Sequence, residues 1–316
     1  MSAKKNNKRM DNDYNVRRLI PIVLIIIVLY VVVPQLHIFR ESLRHLHDLY
    51  YGQLLIAVGM VALTFLCGAA VYNRLSFKYI SYRRTLTAQL AANFINRLLP
   101  AGIGGIGANY RYLRKQKHTA AQAAAVVTAN NSLGLIGHGL LIITLTTVFH
   151  GHAVPIHIGA KLWYILAAAA VLVAVIILVL PKIRLRITTN MRSLATQLGS
   201  FRRRPFAVIT ALSLQICLTL SNVMAFWLCV LAVHASISIV AALLIFTFGF
   251  GVGGATPTPG GLGGVEAGLV AGLVAYHIAS PTALAAVLVY RLISYWLPLA
   301  VSGPIFVYAT RHHYFD

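Results

Sequence analysis

The stretch PAGIGGIGA at residues 100–108 has a counterpart about half a chain later, PGGLGGVEA at residues 259–267. A proline opens each copy, and glycines recur at matching positions within both. A short apolar arm precedes each copy, residues 85–99 in the first case and 237–252 in the second. Because proline ends a helix and glycine permits a sharp turn, each copy predicts a hinge between two short helices. Residues 265–276 read as the second helix of the later pair, and its free N-terminal N–H groups would attract an anion.

The composition around these hinges is that of a membrane protein. The 316 residues are 59% hydrophobic and only 10% charged, whereas soluble domains carry about 25% charged residues. A helix crosses a bilayer with about 20 apolar residues. The apolar runs that we interpret as spans are residues 19–34, 53–73, 119–149, 160–181, 205–233 and 281–309. The sequence therefore predicts an all-α, polytopic membrane protein with about six full spans.

Domain boundaries follow from the same pattern. Residues 1–18 form a basic tail, residues 19–310 a single transmembrane domain, and residues 311–316 a short C-terminal segment. No small-x-small cleavage site follows the first apolar run, so we interpret that run as a retained span and not as a signal peptide.

The charge of the chain sets its expected orientation. There are 27 Lys and Arg residues against six Asp and Glu, a net charge of +21. The basic residues cluster in the tail and in the loops near 74–84, 111–117 and 182–204, which the positive-inside rule places in the cytoplasm together with both termini. We therefore expect a location in the cell (inner or plasma) membrane. Such a charge in a soluble protein would suggest nucleic acid, but these loop clusters favour a membrane and no nucleic-acid partner.

This topology gives the two glycine stretches opposite orientations. An odd number of spans separates them, so the first short arm enters from the cytoplasm and the second from outside. Two opposed, re-entrant segments at corresponding positions indicate an inverted repeat with a binding site near the bilayer midplane. The alternative is that glycines recur by chance, or that they serve close packing of helices.

Three ionisable residues fall within the predicted membrane region, Arg97, Glu266 and Arg291. A charge at the bilayer centre costs about 2.5–3.5 kcal/mol, so such residues usually pair or face a cavity. One interpretation is a structural Glu266–Arg291 ion pair. The other is that Arg97 and Arg291 hold a phosphate while Glu266 positions them. Both can hold together, because an ion pair can open for a ligand.

Other polar residues are less specific. Asn93, Asn96, Asn130 and Asn131 fit helix-to-helix hydrogen bonds as well as ligand contacts. Tyr290, Tyr295 and Trp296 fit a cavity lining or, more commonly, an interfacial aromatic belt. His45, His47, Asp48, His150, His152 and His157 could meet outside as a zinc site, but solvated loop histidines are the simpler interpretation. No nucleophile–base pair, P-loop or HExxH motif occurs, so we expect neither a cofactor nor a bound metal.

Three stretches resemble the membrane domain of lysylphosphatidylglycerol synthases, which also occurs alone in flippase-like membrane proteins. They are NRLLPAGIGGIGANYRYL at residues 96–113, PTPGGLGGVEAGLV at 257–270 and VLVYRLISYWLPLAVSG at 287–303. The resemblance extends over about residues 20–310. In the synthases this domain is thought to move aminoacylated phosphatidylglycerol across the bilayer, while a separate cytosolic domain attaches the amino acid. The chain ends at Asp316, so we expect no aminoacyltransferase activity and no enzyme.

The motifs together predict a set of functional residues. Combined with the residues at membrane depth, the resemblance implies headgroup binding by Asn96, Arg97, Arg111, Glu266, Tyr290 and Arg291. It implies hinge or loop roles for Pro100, Gly102, Gly104, Gly105, Pro259, Gly260, Gly261, Gly263 and Pro298.

The sequence thus predicts a flippase or transporter that binds an anionic or zwitterionic phospholipid, or a polyprenyl-linked lipid, near the midplane. A membrane lipid is the expected partner. One alternative is a scaffold or accessory subunit for a cell-envelope glycosyltransferase. Another is a membrane enzyme acting on lipid headgroups, with Glu266 as its general base. The sequence sets no oligomeric state.

Overall fold

The computed structural model describes residues 49–99, 103–148, 196, 198–256 and 258–315. These ranges fold into helices joined by short loops. The helices are α1 (Tyr51–Leu75), α2 (Tyr82–Leu98), α3 (Ile103–Lys115), α4 (Ala120–Val148), α5 (Pro205–Ala232), α6 (Ile239–Ala255), α7 (Gly264–Ala275), α8 (Ser280–Arg291) and α9 (Leu297–Arg311). A π-helical stretch, Leu292–Trp296, joins α8 to α9 without a break.

Four helices are long and apolar enough to cross a membrane. They are α1, the part of α4 over Ala120–Thr144, α5, and the continuous rod Ser280–Arg311 that comprises α8, the π-helical stretch and α9. Their bounds agree with four predicted spans, and they confirm the prediction of an all-α, polytopic membrane protein. The predicted spans at 19–34 and 160–181 lie outside the described residues, as do Pro100, Gly102 and the six candidate zinc ligands.

Each glycine stretch belongs to an antiparallel pair of short helices. In hairpin 1, formed by α2 and α3, the Thr85 hydroxyl is 3.0 Å from the Tyr112 hydroxyl, and Gly105 N donates to Asn96 Oδ1 at 3.0 Å. In hairpin 2, formed by α6 and α7, Gly253 packs against Val265. The sequence thus predicted both hairpins correctly.

The two hairpins open toward opposite ends of the helix bundle. Arg204 Nη1 donates to Ser76 O at 2.9 Å, and Lys78 donates to the Lys117 carbonyl. The end of α1, the start of α5 and the open end of hairpin 1 therefore share one end of the molecule, here called the basic end. At the far end, Tyr50 N donates to Ala232 O at 3.2 Å. Hairpin 2 opens there, because α6 follows α5 through a short loop.

Basic residues follow this division. Among the described residues, the loops and the terminal helical turns of the basic end contain every Lys and Arg except Arg97, Arg291 and Arg111, which lies one turn further inside α3. The far end has no Lys or Arg within the same ranges, and its polar loop residues include His234, Ser236 and His277. The bundle is therefore strongly polarised in charge along its long axis.

Both hairpins also end in the same turn. Lys117 and His277 follow α3 and α7 with φ of 62° and 63°. One residue later, His118 N donates to Leu113 O at 3.2 Å and Ile278 N donates to Leu273 O at 3.1 Å. A hydrogen bond to the carbonyl five residues earlier, next to a residue with left-handed backbone, is typical of a Schellman helix end. The same turn also ends α5 at His234 and α9 at His313, so it is a common helix end in this protein and does not by itself extend the repeat.

The glycines of the two hairpins have different roles. Gly260 lies in the loop of hairpin 2 with φ of +60°, and a Cβ atom there would approach Tyr295 Cε2 to 2.4 Å. Gly261 and Gly263 also have positive φ, so the hinge prediction is correct for this loop, which contains Pro259. Gly104 and Gly105 instead lie within α3. A Cβ atom on Gly104 would come within 2.6 Å of Ile95 O, so these glycines permit close helix packing and do not make the turn.

Candidate functional site

An ion pair fixes the loop of hairpin 2 to the neighbouring helix. Arg291 Nε lies 2.7 Å from Glu266 Oε1, and the two side chains are 5% and 15% exposed. The second carboxylate oxygen, Oε2, accepts a 2.7 Å hydrogen bond from Gly263 N. Glu266 therefore caps α7 while it neutralises Arg291, and the predicted ion pair is confirmed. The N-terminus of α7 is thus not free for a ligand as predicted, because its own carboxylate occupies the Gly263 amide.

Arg97 lies close to this pair but has no acidic partner. Its Nε donates to Asn93 Oδ1 at 3.0 Å, and its Nη2 donates to Ser294 O at 2.7 Å. Glu266 is the one carboxylate in the sequence between Asp48 and Asp316, and it is already paired. Within the described part of the chain, the half-buried guanidinium of Arg97 is therefore held by neutral groups.

The Ser294 carbonyl is available to Arg97 because of a proline. In a regular α-helix the N–H of residue 298 would donate to the carbonyl of residue 294. Pro298 has no N–H, so this carbonyl loses its α-helical partner. The chain forms the π-helical stretch at this point, and Arg97 from hairpin 1 donates to the freed oxygen. A proline in the third sequence motif thus creates the acceptor for an arginine in the first.

Tyr295 joins the two guanidinium groups. Its ring centroid lies 4.7 Å from Arg97 Cζ and 4.5 Å from Arg291 Cζ, distances at which a cation is attracted to an aromatic ring. Its hydroxyl donates to Arg97 O at 3.2 Å. Tyr295 is 1% exposed and Tyr290 is 0% exposed. The preferred interpretation of these tyrosines as an interfacial belt is therefore wrong, because both rings are buried within the protein.

The site has an excess of positive charge. Two guanidinium groups approach one aromatic ring, and a single carboxylate offsets one of them. Burying an uncompensated charge is costly, because it loses hydration. An anion that binds here would regain that energy, and arginine is well suited to a phosphate because its planar N–H fork matches two phosphate oxygens.

Open space adjoins these side chains. A cavity of about 180 Å³ is lined by Asn93, Asn96, Arg97, Asn222, Phe250, Gly260, Tyr290, Arg291, Ser294 and Tyr295. A neighbouring cavity of about 400 Å³ shares Asn93, Asn96, Arg97 and Asn222 with it. The arginines thus line a connected hollow at the level where the tips of the two hairpins meet.

A family model for the lysylphosphatidylglycerol synthase transmembrane region matches residues 18–302. The chain belongs to this family. No curated protein matches it. The match extends from the first predicted span into α9, so the whole hairpin arrangement lies within the family region.

Most of the motif residues that lie in the described ranges meet at the site. Asn96 spans hairpin 1 through its bond to Gly105 and lines both cavities. Tyr290 packs edge-on against Phe226, and Pro298 acts through Ser294. Arg111 is exposed on α3. The structure does not bring it to the other site residues, and its role in headgroup binding stays a prediction.

Two groups at the site, the Asn222 side chain and the Ser294 carbonyl, were not predicted from the sequence. Asn222 of α5 lines both cavities, although its only sequence signal was a carboxamide inside an apolar run. The Ser294 carbonyl could not be predicted from its own residue type, because every residue has a backbone carbonyl. Pro298, four residues later, was the sequence signal that could have indicated it.

Proposed function

We propose that this domain binds the phosphate of a membrane lipid between its hairpin tips and moves the lipid between leaflets. The two guanidinium groups that approach the Tyr295 ring, of which only Arg291 is paired with a carboxylate within the described residues, carry this proposal. Membership of a family named for a lipid-modifying synthase supports a role in lipid handling. A phosphate is the anion that a lipid offers at the base of its headgroup.

The arrangement of the hairpins supports a site near the bilayer midplane. Hairpin 1 opens at the basic end and hairpin 2 at the far end, while their tips converge on the segment from Arg291 to Tyr295. In a bilayer aligned with the four long helices, the hairpins would be re-entrant and related as an inverted repeat. We propose that the basic end faces the cytoplasm of a cell membrane, in agreement with the positive-inside rule.

Alternating exposure of the site would follow from exchange of its contacts. Hairpin 1 is attached to the π-helical stretch by the Arg97–Ser294 and Tyr295–Arg97 hydrogen bonds. Hairpin 2 is attached to α8 by the Arg291–Glu266 pair. A phosphate that draws the Arg97 guanidinium from Ser294 O, or Arg291 from Glu266, removes one of the contacts that hold a hairpin to the shared segment. The site then opens toward one side, while the acyl chains stay in the lipid.

The hydrogen bonds of Glu266 favour transport without covalent chemistry. A general base has to come within hydrogen-bond reach of the proton that it abstracts, so a carboxylate fixed by other contacts is poorly placed for that task. Both carboxylate oxygens of Glu266 already accept hydrogen bonds, one from Arg291 and one from the Gly263 amide. We therefore propose binding and movement of the lipid over the alternative of a headgroup-cleaving enzyme.

Reconstitution in vesicles tests the proposal. The purified protein is incorporated into liposomes that contain a tail-labelled fluorescent phosphatidylglycerol, and movement between leaflets is followed by chemical quenching of the outer leaflet. Arg97→Gln should slow this movement about 10- to 100-fold, because a hydrogen bond to a charged group contributes roughly 1.5–3 kcal/mol. Arg83→Gln, an exposed change at the start of the same helix, is the matched control and should match the wild type.

The other outcomes identify the alternatives. Equal movement in wild-type and protein-free vesicles would reject transport. Turnover of the labelled lipid into a new product would instead support the enzyme. Neither movement nor turnover would leave the accessory-subunit alternative, in which the polar cluster only stabilises the fold.

A further inference from the structure

We infer that the lipid carries a neutral, hydroxyl-rich headgroup on its phosphate, such as a glycerol or a sugar, and not an ammonium group. This inference rests on the proposed function and concerns the same site. It also departs from the aminoacylated lipid for which the family is named. The observation behind it is the chemistry of the hollow that leads away from the two arginines.

Three cavities form a series in which each shares lining residues with the next. The cavity at Arg97 and Arg291 shares Asn93, Asn96 and Asn222 with the one of about 400 Å³. That cavity in turn shares Gln89, Asn96 and Asn109 with one of about 440 Å³. Together they form a groove, here called the amide groove, whose carboxamide residues are Gln89, Asn93, Asn96, Asn109, Asn130, Asn131, Gln215 and Asn222.

These carboxamides retain both donors and acceptors. Gln89 Nε2 donates to Asn109 Oδ1 at 2.6 Å, which leaves Gln89 Oε1 and Asn109 Nδ2 available. Asn222 Nδ2 donates to Leu218 O at 3.1 Å, which leaves its Oδ1. A hydroxyl group both donates and accepts, and so does a carboxamide. The amide groove therefore matches a polyol, which presents several hydroxyl groups side by side.

The described lining of the amide groove holds no negative charge that could balance a cation. Its lining in the described ranges contains no carboxylate, since Glu266 is the one acid between Asp48 and Asp316. Glu266 is engaged by Arg291 and by Gly263 N. The Tyr295 ring, which could receive an ammonium, already receives two guanidinium groups. An ammonium beside Arg97 would therefore meet like charge without a counterion, which is strongly unfavourable.

A headgroup comparison tests this inference in the intact chain. Wild-type protein is reconstituted in phosphatidylcholine vesicles with a trace of tail-labelled phosphatidylglycerol, lysylphosphatidylglycerol or phosphatidylethanolamine, in separate samples. Phosphatidylglycerol should move at least about tenfold faster than either amine-bearing lipid, because like-charge contacts oppose both amines. Equal rates, or faster movement of an amine-bearing lipid, would overturn the inference while leaving the proposed function intact. Movement of none of the three would reject the proposed function itself.

A negative charge introduced into the amide groove should shift the preference toward the lipid that carries an ammonium group. Asn222→Asp places a carboxylate in the amide groove and should raise the rate of lysylphosphatidylglycerol relative to phosphatidylglycerol about tenfold or more. Asn222→Leu is the matched control, and it should slow phosphatidylglycerol without favouring the lysyl lipid. If Asn222→Asp does not give monodisperse protein, Gln89→Glu makes the same change on hairpin 1. An unchanged ratio in a folded acidic variant would overturn the inference.

Discussion

Glu266 uses its two carboxylate oxygens for two different tasks, one as the counterion of Arg291 and one as the cap of α7. A single side chain thus links the loop of hairpin 2 to α8. Removing one member of a buried ion pair is more damaging than removing both, because it leaves the other charge buried and unpaired.

Glu266→Gln should therefore destabilise the protein by about 3–5 kcal/mol, since Arg291 loses its counterion inside the bundle. Thermal unfolding in detergent measures the loss. The double variant Glu266→Gln/Arg291→Gln removes both charges and keeps an acceptor for the Gly263 amide, so it should recover most of the stability. A double variant that unfolds as readily as the single one would contradict a charge-based explanation.

His118 is a buried histidine at the basic end, 2% exposed. Its Nε2 is 2.9 Å from Ser76 Oγ, and its Nδ1 is 3.1 Å from Leu113 O. Burial lowers the pKa of its imidazole below the ordinary value, and the nearby Lys78 lowers it further, against the opposing effect of the Leu113 and Gln116 carbonyls. The folded protein thus keeps this ring neutral at a pH where the unfolded chain binds a proton.

Stability should consequently fall as the pH drops below about 6.5, because protons then favour the unfolded chain, and it should be insensitive to His118 above that value. Melting temperatures measured between pH 8 and pH 5 show the effect. His118→Gln, which keeps a polar side chain but cannot titrate, should have a shallower decline. Identical declines in the two proteins would assign the effect to other groups.

At the scale of elements, the joint between α8 and α9 connects the two hairpins. The π-helical stretch leaves the Ser294 carbonyl for Arg97, and Pro298 explains why that carbonyl lacks its α-helical partner. A second proline, Pro304, lies inside α9 with its side chain exposed. Both prolines lie in the same helical rod. The carbonyl that loses its α-helical partner at Pro298 is bound by Arg97, so Pro304 serves as a comparison for Pro298.

Pro298→Ala should restore the N–H that pairs with Ser294 and so compete with Arg97 for the carbonyl. We expect lipid movement in vesicles to slow about tenfold or more, since a hydrogen bond to a charged group is lost, while thermal stability is kept or increased. Pro304→Ala, the control, should keep the transport rate. Equal transport by both variants would show that the Arg97–Ser294 bond is dispensable.

At the scale of the whole molecule, two opposed hairpins meet between ends of very different charge. The described Lys and Arg residues gather at the basic end apart from Arg97 and Arg291, which lie where the hairpin tips meet. The positive-inside rule therefore predicts that the basic end faces the cytoplasm.

Single-cysteine labelling in intact cells checks this orientation. After Cys67, Cys217 and Cys229 are replaced by alanine, a cysteine is introduced at exposed Ser236 of the far end or at exposed Arg203 of the basic end. A membrane-impermeant maleimide should label Ser236→Cys in intact cells and Arg203→Cys only after lysis. The opposite labelling pattern would show that the basic end faces outward and would contradict the predicted orientation of both hairpins.

The sequence by itself determined the helical class, four spans that the structure describes and the two hairpins, and it offered the Glu266–Arg291 pair as one of two interpretations. These follow from local rules, because the length of an apolar run, the backbone freedom of glycine and the cost of a buried charge act near each residue. Only the tertiary structure decided that Arg97 reaches Ser294, 197 residues away, that Tyr295 is buried between two arginines, and that Gly104 serves packing. Such contacts depend on which helix faces meet, and this is set by the packing of the whole bundle and not by any local stretch of sequence.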